Sequence, residues 1–528
     1  MLRIDQLRLL PDEPETVLLH KCARLLRVEP SALTGLTVLR RAIDARESLT
    51  FVYTVIVSAP QETALLRRCR DKRVTAYAPE QYALPASVDA PAVRPIVVGA
   101  GPAGLFAALV LAKCGARPIL LERGQCVEQR QRDVQRFWAT GELDTESNVQ
   151  FGEGGAGAFS DGKLNTGTRD VRHRFIMEQL VSCGAPADIL TDALPHVGTD
   201  MLHIALQRLR RQLLDAGADI RFGARLEGLT VQEGAVTAVT VRKGGTLYTL
   251  PAQQVVLALG HSARDTFEML YDAGAAMEQK PFAMGVRIEH RQSAVDAARY
   301  RRLAGHPSLP PATYKLSCHL PNGRSAFSFC VCPGGQVVAA ASEARRVVTN
   351  GMSEYARDRE NINGALLVNV TPADFPDDHP LSGIRLQRQL EEAAFALGGG
   401  DYRAPCQRVE DFLAGRPSVG AGNVQPSYLP AVTYTDLHRC LPPFISETLA
   451  LALPELGRRL RGYDDPDALL TGVETRSSSP VRLVRDGHYE SNIRGVYPCG
   501  EGAGYAGGIL SAAADGMRCA EKILEVYR

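Results

Sequence analysis

The chain has 528 residues, with 60 Lys+Arg against 59 Asp+Glu, 45% hydrophobic and 23% charged residues. At about 150 residues per domain the length predicts three to four domains, and this composition excludes a disordered, collagenous or coiled-coil chain. A net charge of +1 leaves no whole-molecule field for nucleic acid, membrane or polyanion, so any such partner needs a local patch.

Twelve cysteines include no C-x-x-C pair and no Cys/His cluster at zinc spacing, which predicts free thiols, no metal site and a cytoplasmic protein. The N-terminus mixes charges from the start and no run reaches 18 apolar residues, so neither export nor a membrane span is expected.

Residues 1–85 are expected to form a small α/β module. Leu2–Leu9 alternates as a strand, Glu15–Leu26 has helical apolar spacing, and Leu49–Val57 is rich in β-formers. The Pro/Ala-rich stretch Ala78–Arg94 is a linker. Within the module, Arg67, Arg68, Arg70, Lys72 and Arg73 form a cation run. No aromatics are interleaved for base stacking, so a solvated face is favoured over an RNA contact.

Then comes Pro95-Ile-Val-Val-Gly-Ala-Gly-Pro-Ala-Gly104, the apolar run Leu105–Ala112 and Pro118-Ile-Leu-Leu-Glu122: strand, tight turn, helix and strand in about thirty residues. Gly99 permits the turn, Gly101 admits a pyrophosphate, and Gly104 lets the helix pack close to the strand. The helix start, with Pro102 and Ala103 in its first turn, offers free N–H groups and a positive dipole end to phosphate. Glu122, 21 residues after Gly101, is placed to accept a ribose hydroxyl, and Arg123 follows it. Arg130, Arg132 and Arg136 lie on a helix ahead of Phe137-Trp138. They contact cofactor phosphate or form a solvated face, with Arg130 taken as a cofactor contact.

This motif alone does not separate NAD from FAD. Val255–Gly260 is a buried parallel strand ending in Gly260. Gly495–Gly508 runs as strand, acidic residue and Gly-rich turn (Gly500, Glu501, Gly508) into a helix beginning at Ile509. The start of that helix would lie over the polar edge of an isoalloxazine, where its dipole favours negative charge on the reduced ring. The three segments together resemble the FAD-binding domain of glutathione-reductase-like flavoproteins, particularly the branch holding p-hydroxybenzoate hydroxylase and geranylgeranyl reductase.

The likeness extends to Asn148–Asn165 (NVQFGEGGAGAFSDGKLN), Cys330–Gly335, Gly472–Pro480 and Cys499–Gly508. On these strings the chain is similar to the bacterial family labelled uncharacterised FAD-dependent dehydrogenases, over nearly its whole length. The resemblance implies an α/β fold: a discontinuous Rossmann-like FAD-binding domain at 91–280 and 466–528, an inserted mixed α+β substrate domain at 281–465, and the N-terminal module. It also implies an FAD-dependent oxidoreductase transferring a hydride between FAD and a small organic substrate. No second G-x-G-x-x-G follows a strand, so NAD(P)H, if used, is a transient reductant at the flavin face. The alternatives are an NAD(P)H-dependent flavin monooxygenase and an RNA-associated flavoprotein using the N-terminal module. The sequence leaves the oligomeric state open.

The glycine-rich segment Asn148–Asn165 suits backbone wrapped around a flat ligand, with Gly155 in its turn and Ser160, Lys163 and Asn165 as polar side chains at its end. Lys163, one of only eight lysines, is placed to set a cation or N–H near flavin N5; the alternative is an exposed lysine on a loop. Lys163, Ser160 and His319 are the catalytic candidates, with His261 a further proton donor. Cys330 and Cys332 fall on one face of a strand, where strain between i and i+2 favours packing or substrate contact over a dithiol role. Glu474, Arg476 and Ser477–Ser479 either bind a polar substrate, line the flavin or form a turn leading to the last strand.

Overall fold

The computed structural model describes residues 1–46 and 48–528. The first module is a four-stranded antiparallel sheet in the order Leu36–Asp44, Thr50–Val57, Leu2–Leu9, Val74–Ala76. Leu2, Ile4, Leu7 and Leu9 point inward, and the helix Val17–Leu26 covers them with Leu18, Cys22 and Leu26. The strand and helix expected from periodicity are both present; Leu36–Asp44 and Val74–Ala76 complete the sheet. The module docks through Arg41, whose backbone N–H donates to Thr191 O at 2.7 Å and whose guanidinium pairs with Asp192 at 2.9 Å. Residues 77–95 carry no helix or strand and pack along the next domain, where Tyr82 Oη donates to Glu521 at 2.8 Å.

The second domain is built on a five-stranded parallel sheet, in the order Val496–Pro498, Val255–Leu257, Ile96–Val98, Ile119–Leu121, Asp219–Arg221. The first four strands are three-residue apolar runs buried on both faces, the pattern a parallel sheet covered by helices requires. Helix Pro102–Lys113 is apolar all round and buries ten of its twelve residues, because it packs against both the parallel sheet and the C-terminal helix Ile509–Val526. A Cβ on Gly516 would come within 2.0 Å of Ala103 O, so only glycine lets the two helices approach this closely. A three-stranded antiparallel sheet, Ala224–Gln232, Ala235–Lys243 and Thr246–Pro251, flanks the domain.

The inserted domain is an eight-stranded mixed sheet. Its path runs Ser317–His319, Ser325–Ala339, Asn361–Val370, Phe282–Arg291, Leu469–Glu474, Ala404–Arg408, Val432–Tyr434, with Thr349–Met352 paired to Ser325–Ala339. Its neighbours are antiparallel except the last pair. The helix expected over 381–397 is Ser382–Gly398. One boundary moves. Leu469–Glu474 pairs with Phe282–Arg291, so the segment from 466 to 474 belongs to the inserted sheet, and the chain returns to the parallel-sheet domain after Glu474. A six-residue apolar strand looks the same in either sheet, and only its pairing decides.

Between the two domains sits a buried ion network. Arg264 donates to Glu391 at 2.7 Å, Gln387 at 2.9 Å and Glu343 at 2.6 Å, while Arg476 pairs with the same Glu391 at 2.9 Å. Glu391 is fully buried, and two guanidiniums hold its carboxyl far below the ordinary range against the opposing effect of burial. Among the described residues no helix is long and apolar enough to cross a membrane.

Candidate functional site

The site begins with the first parallel strand. Ile96–Val98 ends in the turn Gly99–Gly101, and Gly104 then lies so close to the strand end that a Cβ there would meet Gly99 O at 1.8 Å. That contact seats the first turn of helix Pro102–Lys113 at the carboxyl end of the sheet. Neither this helix nor Ile509–Val526 has a side-chain cap, and their cap residues, Gly101 and Gly508, line the same cavity. Two positive helix ends therefore converge on one space.

The second parallel strand delivers Glu122. Its carboxylate accepts the N–H groups of Ala100 at 2.7 Å, Gly124 at 2.8 Å and Gly152 at 2.9 Å, joining the phosphate-type turn to the glycine-rich loop. Three backbone donors leave lone pairs for a further hydroxyl. Arg123 is held between Glu146 at 2.9 Å and Asp265 at 2.8 Å, over the Phe151 ring at 4.1 Å.

The glycine-rich loop is held from beneath by Arg130. Its guanidinium donates to the carbonyls of Asn148 at 2.8 Å, Val149 at 2.9 Å, Gly152 at 3.3 Å and Glu153 at 2.7 Å. Burial pulls Arg130 down to about 10, so it stays charged at neutral pH. This corrects the expectation that Arg130 touches cofactor: its donors are spent on loop carbonyls, and it does not line the cavity. Arg132 and Arg136 are exposed, as a solvated helix face requires.

The loop then places Gly155, Ser160, Lys163 and Asn165 at the cavity. A Cβ on Gly155, whose φ is +60°, would come within 3.0 Å of Gly101 Cα, so the loop and the turn nearly touch. Ser160 Oγ donates to Gly157 O at 2.7 Å and accepts the Gly162 N–H at 3.0 Å, which commits its proton to the loop. The Lys163 ammonium pairs with Asp161 at 2.6 Å and donates to Val331 O. Burial opposes its charge, but Asp161 outweighs burial and holds Lys163 above its ordinary value, making it a fixed cation. Asp161 also receives Arg357 at 2.6 Å.

Gly260, His261, Gly500, Glu501 and Ile509 complete the wall on the parallel-sheet side. Burial, with Arg476 and Arg264 nearby, pushes His261 down to about 3, so it is neutral at working pH and is no imidazolium acid. Glu501 is the reverse case, raised to about 7 by burial. His319 is corrected outright. It is exposed on the edge strand Ser317–His319, bonded to Ser325 Oγ at 2.7 Å, and does not line the cavity. The cation run in the first module is partly tied down: Arg68 donates to Arg27 O at 3.3 Å and Arg73 pairs with Asp71 at 2.7 Å.

The inserted sheet supplies Phe329, Cys330, Asn350 and Glu474 to the opposite wall, and Arg476 and Ser477, just past the end of its strand Leu469–Glu474, extend it. Arg287 lies behind it, fully buried, pairing with Glu474 at 2.9 Å and donating to Cys330 O at 2.9 Å and Asn350 Oδ1 at 3.1 Å. Burial outweighs Arg287 and raises Glu474 to about 7. Cys330 sits in a bulge with φ +42°, a conformation that costs a non-glycine residue about 1–3 kcal/mol and persists only where its surroundings fix it. Phe329 and Asn350 gave no sequence signal; Gln150, Phe151 and Arg225 also line the cavity, the first two inside a segment already marked by its glycines.

A parallel sheet with a Gly-x-Gly-x-x-Gly crossover, an acidic second-strand end and a second helix start aimed into the same space define a dinucleotide-binding flavoprotein. The described features fit FAD: glycines bare the backbone where phosphate would lie, and fixed positive ends and cations face it. A model of the FAD binding domain matches residues 94–158, and one described as "FAD-dependent protein, C-terminal domain-like" matches 281–477. A domain of unknown function matches 1–58. A protein of Clostridium beijerinckii described as uncharacterized is 43% identical over 531 residues, covering 100% of this chain and 99% of its own. The chain belongs to this bacterial family of FAD-dependent proteins, which joins an FAD-binding domain to the FAD-dependent C-terminal domain.

Among solved structures, a flavin-dependent brominase is 12% identical, covering 82% of this chain and 79% of its own, with a TM-score of 0.38. A chain of E. coli quinol fumarate reductase is 14% identical, with 82% and 70% covered and a TM-score of 0.38. A geranylgeranyl bacteriochlorophyll reductase-like protein of Thermoplasma acidophilum is 12% identical, with 84% and 79% covered and a TM-score of 0.35. At these scores the likeness says nothing about the reaction.

Proposed function

We propose that the protein transfers a hydride between FAD held in the cavity and a small organic substrate seated against the inserted domain. The observation that carries this reading is the shape of the cavity itself: two uncapped helix starts, Gly101–Pro102 and Gly508–Ile509, face a wall of Phe329, Cys330, Asn350 and Glu474 from another sheet, with Arg476 beside it. When bound, the flavin supplies two-electron chemistry that no protein side chain provides.

In this reading Gly101 and Ala103 would take the pyrophosphate on backbone N–H groups and the helix dipole, with Gly99, whose N–H is given to Leu121 O, shaping the turn and Pro102, which has no N–H, opening the helix. Glu122 accepts a ribose hydroxyl, with Arg123 and Gly260 beside the adenosine. Gly155, Ser160, Lys163 and Asn165 border the isoalloxazine from one side and Gly500, Glu501, Gly508 and Ile509 from another. Gly104 and Arg130 act from behind, one by letting the helix seat, the other by fixing the loop. Lys163 contributes standing positive charge rather than a mobile proton. Glu474 and Glu501, each raised to about 7, hold and release protons at neutral pH in place of His319.

The visible spectrum of the purified protein tests this reading, before and after NADPH is added without oxygen. A flavin band is expected, and well-folded protein without one refutes the reading. Bleaching by NADPH would make NAD(P)H the transient reductant, and oxygen consumption with a hydroxylated product would then favour the monooxygenase alternative. A band that persists points to a dehydrogenase reduced by its own substrate.

A further inference from the structure

We propose that Cys330 and Cys332 are a redox-active dithiol pair in the inserted-domain wall, exchanging two electrons with the flavin on one side and with a small thiol or disulfide on the other. This rests on the flavin reading of the cavity and adds a substrate class to it.

The bulge removes the objection drawn from a regular strand. Phe329 pairs with Ala365 and Cys332 with Asn363, so three steps on one strand oppose two on the other, and Cys330 takes the left-handed φ of +42°. The side chains of 330 and 332 then no longer stand parallel on one face. The Cys332 thiol curls back to donate to Cys330 O at 3.3 Å. Cys330 lines the cavity beside the exposed Phe329, while Cys332 is fully buried behind it. That is the arrangement of an attacking and a resolving thiol.

The charges divide the pair in the same sense. The Lys163 ammonium sits on the carbonyl of Val331, between the two cysteines, and the Arg287 guanidinium on that of Cys330. The neighbouring Cys332 thiol and these two cations hold Cys330 below the ordinary thiol value against burial and Asp161, while the same proximity, with burial, drives Cys332 upward. Glu474 and Glu501 line the same cavity as Cys330, and their charge opposes a thiolate there. Buried packing cysteines of this chain behave otherwise: Cys22, Cys406 and Cys440 are all pushed up to about 12. A thiolate next to a thiol is poised for exchange.

The step balances within the site. The Cys330 thiolate and the Cys332 thiol lose two electrons and one proton as their S–S bond forms, and oxidised flavin takes both electrons and that proton. In the second half, a small dithiol reduces the new disulfide by two exchange steps and leaves as its own disulfide; run in reverse, reduced flavin drives reduction of a small disulfide.

The test uses the full chain and three readouts. First, brief iodoacetamide pulses at pH 6.5 on protein stripped of flavin, followed by peptide mass spectrometry, should label Cys330 at least about tenfold faster than Cys22, Cys406 or Cys440. Second, mild oxidation with diamide should yield a Cys330–Cys332 peptide lighter by two hydrogens, restored by dithiothreitol. Third, dithiothreitol without oxygen should bleach the flavin of the wild type at least about tenfold faster than that of Cys332→Ser. Slow labelling of Cys330, absence of the linked peptide, or equal bleaching in the two proteins would each overturn the pair. The first two readouts need no flavin, so a protein that fails to bind FAD sinks the broader reading without deciding the thiol chemistry they report.

Discussion

The substitution Gly101→Ala separates a cofactor role for the turn from a folding role. Gly101 has φ −74° and ψ −179°, open to any residue, and a Cβ built there meets nothing nearer than Gly155 Cα at 3.8 Å. The fold therefore tolerates the methyl group, and the stiffer unfolded chain adds about 0.4–1 kcal/mol of stability. The methyl does occupy the space where a phosphate oxygen would approach backbone N–H groups. Losing one charge-assisted bond costs about 1.5–3 kcal/mol, which is roughly a 10- to 150-fold weaker Kd for FAD. Gly104→Ala is the counterpart. Its Cβ would overlap Gly99 O at 1.8 Å, backbone that cannot turn aside, so overpacking should cost the apoprotein about 1–3 kcal/mol or more. Urea unfolding of apoprotein and fluorescence titration with FAD measure the two quantities independently. A Gly101→Ala protein that binds FAD within twofold of wild type would refute the placement of phosphate at this turn, and an unperturbed Gly104→Ala protein would refute the close packing beneath it.

Removing the carboxylate of Glu391 should leave Arg264 and Arg476 buried without their shared partner. Glu391→Ala is expected to lose about 3–5 kcal/mol in urea unfolding, and a loss below 1 kcal/mol would show that the network does not join the domains. Glu474 carries a pH signature. Its folded value of about 7 lies above the ordinary 4.5, so the folded chain keeps a proton the unfolded chain has released. That stability is fully present below pH 4.5 and is lost as pH rises through 7, by up to roughly 3 kcal/mol. Unfolding of Glu474→Gln should lack this component, and identical pH profiles for the two proteins would show that Glu474 titrates normally. Arg130→Lys keeps the charge but cannot reach four carbonyls from one ammonium. It should lose at least about 2 kcal/mol of stability and weaken FAD at least tenfold; unchanged values for both would mean the loop holds itself.

The parts of this molecule that were legible in the sequence are those where a local backbone demand selects the residue. Gly99, Gly101 and Gly104 are readable because a turn and a close helix–strand approach exclude side chains, and helix Ile509–Val526 because a glycine-rich turn precedes an apolar repeat. What escaped depends on pairing between distant segments. Leu469–Glu474 is apolar in any sheet, and Phe329 and Asn350 reach the cavity only because their strands cross to it. For Cys330 the alternation rule itself misled, since one extra residue in the strand re-aims every side chain around it.

Charges mark the boundary between the two cases. The spacing of helix Ser382–Gly398 puts Glu391 on the apolar face with Leu386, Leu390 and Ala394, where an ionised carboxylate is untenable alone. The sequence thus states that a cation must meet it but not which, because Arg264 lies 127 residues away and Arg476 85, and the chain offers many other arginines. Arg130 shows the converse. Its position just after the dinucleotide motif suggested phosphate, yet the nearest need was local: four carbonyls in the Asn148–Glu153 stretch of the glycine-rich loop, which has no strand or helix to satisfy them. A loop shaped for a flat ligand creates that demand before any ligand arrives, so the cation nearest such a loop in sequence is first a candidate for holding the loop and only then for holding the cofactor.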